Sequence, residues 1–254
     1  MRERIKDNKL IIWLCMLMIS TLITSGCAKY YSYAYKTDIA NAGDLKIIAL
    51  APIELSLELP QGDKVRAFFD TTVSEKLSSA GFQVIGSAVF SDKMAALVRE
   101  RGGVYDSVTG KRDEEKFQDL QKTCKKDLLT TTGANALLRT KVVVVSAFFW
   151  GCHGAKWDGV QQDVSTTFLI FCANSNMHGR VPAFSLLITL EDSDGKILYF
   201  NGGGIELASR YVSNILMGRF EQVPIEELLI DEIRNRHAVE LSLAPLLLQV
   251  SKKQ

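Results

Sequence analysis

The chain has 254 residues, 47% of them hydrophobic and 23% charged, enough for one globular domain or a domain with a long insertion. Thirty basic and 29 acidic residues leave a net charge near +1, with none of the basic excess that marks a nucleic-acid-binding face. No nucleic-acid partner is therefore expected. The densest basic cluster, Lys122, Lys125 and Lys126, is interleaved with Asp119 and Asp127 and reads as a solvated helix face.

The first 27 residues fall into zones. A charged head carries Arg2, Arg4, Lys6 and Lys9 against Glu3 and Asp7; an uncharged apolar stretch runs from Leu10 to Ile23; Thr24, Ser25 and Gly26 then precede Cys27. A stretch of this length suits the core of a secretory signal better than a bilayer span, which needs roughly 20 residues. An uncleaved anchor helix with an incidental cysteine is the alternative. Small residues placed straight before a cysteine resemble the lipobox of bacterial lipoproteins, with Thr24 where leucine is commonest. That resemblance implies diacylglyceryl transfer to the Cys27 thiol and cleavage before it, so residues 1–26 are the signal peptide. Removal takes four basic and two acidic residues and leaves 26 basic and 27 acidic. Ala28 stands where an aspartate would resemble an inner-membrane retention signal. The resemblance therefore implies an outer-membrane protein held by acyl chains and facing the periplasm; no cofactor is expected.

Residues 27–44 hold Tyr30, Tyr31, Tyr33 and Tyr35 with no apolar periodicity. They read as a tether whose tyrosines rest at the bilayer interface or pack on the domain. The domain proper is expected over 45–254. Leu45–Ile53 reads as a buried strand closed by Pro52, followed by a helix over about 64–80 with Asp63 as N-cap and Gly81 as stop. "GFQVIG" supplies a second strand, and Ser91 can cap a short helix to Arg99. A helix over about 113–130 buries Phe117, Leu120, Cys124 and Leu128, and with its predecessor makes 91–131 a helical segment.

"GANALLRTKVVVVSAFFW" enters the longest strand, rich in β-branched residues. An aromatic insertion over 147–182 follows. Phe148, Phe149, Trp150 and Trp157 crowd one side of it and Phe168 and Phe171 the other. Contiguous apolar residues favour central buried strands joined by a polar loop, with a contact surface as the alternative. Ala183–Leu190 is another strand. Asp192–Gly195 turns into Lys196–Phe200, a hairpin rather than a calcium loop because the downstream bidentate acid is missing. "NGGG" at 201–204 reads as a bulge or flexible exit, a candidate hinge. From Pro224 a last helix is expected, kinked or ended at Pro245. The order gives an α/β (α+β mixed) fold, one mixed β-sheet packed with helices.

After the signal, Cys124, Cys152 and Cys172 remain besides Cys27. Cys152 and Cys172 flank a loop-like segment and are the candidate disulfide, with buried free thiols as the alternative. Cys152, His153, Cys172 and His178 match no established zinc spacing, so no metal site is expected. The chain has neither a Gly-x-Ser-x-Gly elbow nor a phosphate-cradling Gly-x-x-x-x-Gly-Lys, so no catalytic residues are assigned and the protein is expected not to be an enzyme.

"IALAPI", the helix leading to "AGFQVI" and "TGANALLRTKV" after a cysteine and tether resemble the periplasmic α/β lipoproteins. That group includes the curli secretion channel subunit (CsgG-like) and activators of penicillin-binding proteins. The resemblance covers roughly 45–90, 130–150 and 183–250 and implies an anticodon-binding-domain-like fold. It also implies a scaffold or regulator binding an envelope protein or secretion component, or a homo-oligomeric pore subunit. An envelope hydrolase is the third reading.

Overall fold

The structure is a computed structural model describing residues 36–37, 45–107, 109–150, 154–164, 178–213 and 218–251. Cys27, most of the tyrosine segment, Cys152, His153, Phe168, Phe171 and Cys172 lie outside the described residues. Among the described residues, no helix is long and apolar enough to cross a membrane.

The elements in chain order are β1 (Lys36–Thr37), β2 (Ile47–Leu50), β3 (Glu54–Leu55), α1 (Gly62–Ser79), β4 (Gln83–Ile85), α2 (Ser87–Glu100), α3 (Glu114–Thr132), β5 (Ala136–Trp150), β6 (Ala155–Trp157), β7 (Val160–Gln162), β8 (His178–Glu191), β9 (Ile197–Leu207), β10 (Ser209–Ser213), β11 (Gly218–Gln222) and α4 (Glu232–Ser251). The main sheet runs β1-β9-β8-β5-β2-β4, with β3, β6 and β7 attached beside β5, while β10 and β11 form a separate hairpin. β2 is parallel to β4 and β5, whereas β5, β8 and β9 are successively antiparallel. The sheet is thus mixed and covered by helices, as the element order predicts.

Alternation along β2 sorts the helices. Ile48 and Leu50 join a core with Phe69, Val73 and Leu77 of α1 and Val239 and Leu243 of α4. Ala49 and Ala51 point to the opposite face, where Phe90 of α2 and Cys124 and Leu128 of α3 cover them. Small residues here let the helices lie close to the strand. Asp113, where the sequence begins this helix, caps α3 by accepting from the Lys116 amide at 3.0 Å. Asp63 lies inside the first turn of α1 rather than at its cap, and α2 starts at Ser87, four residues before Ser91.

Three further expectations change. The tether segment is not wholly outside the fold, because Lys36 and Thr37 pair with Phe200 and Tyr199 as an edge strand. "NGGG" is no flexible exit: it lies within β9, where Gly203 abuts Ala238 of α4 and Gly204 abuts Trp157 and Val160. A register shift does fall beside it, between Phe184 and Ser185, so the bulge is present. The last helix begins at Glu232 after a 3-10 turn at Ile225–Glu227, and it continues through Pro245. Proline removes the amide that would bond Leu241. Asn201 Nδ2 instead donates to the carbonyls of Leu241 and Ser242 at 3.1 and 3.2 Å, and the Tyr199 hydroxyl also donates to Ser242. Asn201 of β9 thus satisfies the Leu241 carbonyl that the proline leaves open, and Tyr199 braces the same turn at Ser242.

Candidate functional site

Three places gather polar or exposed aromatic groups. The first is a groove of about 660 Å³ outside the carboxyl end of β2, between α2, α3 and the start of α1. It arises where the chain leaves β2 at Pro52 towards α1 on one face while β4 feeds α2 on the other, the switch-point geometry that opens crevices in α/β sheets. Ala51, Ile53 and Phe90 form its buried floor, with Met94 and Phe117 on the walls.

Arg66, Arg112 and Arg139 line this groove, and each is held by an acid. Arg66 Nη1 bonds Asp63 at 2.8 Å. Arg112 bonds Glu114 through Nε and Nη2 at 2.7 and 3.1 Å and lies over the Phe117 ring, 4.2 Å from its centroid. Arg139 Nε stands 3.7 Å from Glu191, whose other oxygen receives the buried Lys125 at 3.2 Å. Ser91 donates its hydroxyl to the Ser87 carbonyl. Apolar depth with acid-paired arginines at the margin is an arrangement for holding an apolar group with polar contacts at its rim.

The second place is a buried knot at the start of α4. Glu206 of β9 accepts from the Leu229 amide and stands 3.5 Å from Arg234 Nη1. Burial pushes its carboxyl above the usual range, partly offset by the Leu229 N–H and then by Arg234. Leu229 has φ +59°, and Asn235 Nδ2 holds its carbonyl at 2.8 Å. Gln61 Nε2 donates to the Leu228 carbonyl at 2.6 Å. A shifted carboxyl can mark a functional site, but here it clips the 225–231 segment to the sheet and to α1.

The third is the far end of β5. The expected block of buried aromatics is split by strand alternation: Phe149 and Trp157 are buried, whereas Phe148 and Trp150 are 47% and 60% exposed. Phe149 meets Phe220 of β11 at 5.5 Å, and Trp150 stacks on His178 at 5.5 Å. The described aromatic residues of the insertion are therefore divided between core and surface. His178 belongs to this stack, and no metal-ligating cluster occurs among the described residues. Cys124 is a buried free thiol in the α2–α3 core. The arginine groove went unread in the sequence because its three cations lie 27 or more positions apart with no local spacing to reveal them.

No family model matches the chain, and no curated protein matches it. Among solved structures it is similar to the lipoprotein GNA1162 from Neisseria meningitidis, at 16% identity over 63% of this chain and 79% of that one, with a TM-score of 0.33. It is also similar to PelC from Paraburkholderia phytofirmans, solved as a dodecamer (12% identity, 84% and 95% coverage, TM-score 0.33). A third is the LpoB C-terminal domain from Salmonella enterica (12% identity, 67% and 87% coverage, TM-score 0.32). Bacterial lipoproteins are thus among its structural neighbours, at scores that bear on no individual residue.

Proposed function

We propose that this protein is a non-enzymatic lipoprotein, anchored through Cys27 in the outer membrane and facing the periplasm, that binds another envelope protein. The observation that carries this reading is the basic head, the 14-residue apolar stretch and the small residues ending at Cys27. A single acyl chain holds a protein only reversibly, so the two or three chains implied by the lipobox resemblance make attachment lasting. Tethering then acts through effective concentration: a domain held near the membrane meets a partner there without needing high intrinsic affinity. The arginine groove is the contact we assign to that partner.

Density-gradient fractionation of envelopes tests the reading. Wild type should sediment with outer membranes, Cys27→Ser should leave that fraction, and Ala28→Asp should move to inner membranes. A Cys27→Ser protein that still fractionates with outer membranes overturns the anchor. An oligomeric pore subunit is the second reading, the one the sequence resemblance also implies. Light scattering of the detergent-extracted protein decides between one copy and a ring.

A further inference from the structure

We propose that the far end of the β5–β8 ribbon seats on an anionic phospholipid surface, the membrane that holds the acylated Cys27. This rests on the anchor reading and adds to it a second, non-covalent contact with lipid. Along one face of β5, Leu138 and Val142 are buried in the core beneath α1 and α4. Farther along the same face Phe148 and Trp150 stand 47% and 60% exposed. Antiparallel register places Phe148 opposite Arg180 of β8 and Lys156 of β6, and Trp150 opposite His178. Directly paired residues project to one side, so two aromatic rings share a face with exposed Lys156, Arg180 and His178.

Like several other surface cations of the domain, Lys156 and Arg180 have no carboxylate within ion-pair distance among the described residues. Gln161, opposite Lys156 on β7, adds no acid. Indole rings favour the headgroup level of a bilayer, and basic side chains beside them favour anionic lipid. Chain direction agrees. β1 is antiparallel to β9, so the N-terminal end of β1 points the way β9 runs, towards the Leu207 end. Leu207 pairs with Ala183, three positions from Arg180. Nine positions along the chain separate Cys27 from Lys36, a reach of roughly 30 Å at about 3.3–3.6 Å each.

The test uses the acylated protein reconstituted into vesicles of equimolar phosphatidylglycerol and phosphatidylcholine, or of phosphatidylcholine alone, with bromine-tailed phosphatidylcholine as quencher. Trp150→Phe identifies the Trp150 signal against the buried Trp157. Quenching should be strong in anionic vesicles, weaker in neutral ones, and mostly lost in Trp150→Phe and in the double variant Lys156→Glu with Arg180→Glu. Protein that floats with vesicles but whose Trp150 stays unquenched in both overturns the proposal, leaves the anchor standing and assigns the face to a protein partner. Protein that fails to float overturns the anchor and this inference with it.

Discussion

Gly203 of β9 and Ala238 of α4 meet backbone to backbone: a Cβ on Gly203 would run into the Ala238 carbonyl oxygen and crowd its carbonyl carbon at 2.9 Å. Neither atom is the end of a flexible side chain, so the helix itself must move. Gly203→Ala should therefore destabilise the domain by about 3 kcal/mol, the upper end of ordinary overpacking. Urea denaturation would show the midpoint fall.

Glu206 makes stability depend on pH in a defined direction. Burial raises its carboxyl above the ordinary value near 4.5, against the opposing pull of the Leu229 N–H and Arg234. The folded protein then keeps a proton that the unfolded chain has released. The contribution is most favourable below about 4.5 and is lost as pH rises from there through the folded-state value. Glu206→Gln keeps an oxygen for Leu229 and removes the titration. Thermal melts across the weakly acidic range should show wild type falling relative to the variant with rising pH, and parallel curves would contradict this.

Glu191 neutralises the buried Lys125 ammonium and faces Arg139. Glu191→Ala leaves Lys125 without its counterion and should cost about 1–3 kcal/mol. Adding Lys125→Met should recover part of that loss, because removing both members of a buried pair is far milder than removing one. Denaturation of the two single variants and the double closes this cycle.

Cys124 is fully buried, its Sγ 3.7 Å from the Phe90 carbonyl, and burial pushes its thiol up. Iodoacetamide should leave it unmodified in the folded protein and label it in denaturant, read by mass spectrometry of the peptide carrying it.

Much of this architecture was legible because it is local. The helix over about 64–80, the helix beginning near Asp113 and the Asp192–Gly195 turn, where Gly195 has φ +84°, each follow from a few neighbouring residues. What escaped depends on distant partners. "NGGG" reads as looseness until α4 is laid against it. Pro245 reads as a kink or an end of the helix until Asn201 is seen meeting the Leu241 carbonyl that it frees. Phe148 and Trp150 read as core beside Phe149 because a contiguous apolar run hides its own alternation. Lys36 and Thr37, with no apolar signal, join the sheet only because β9 offers an open edge.

Metabolic labelling with radioactive palmitate tests the lipid anchor most directly. Wild type should incorporate label and Cys27→Ser should not, with both detected at equal amounts by antibody. Equal label in the two proteins would contradict the anchor at Cys27.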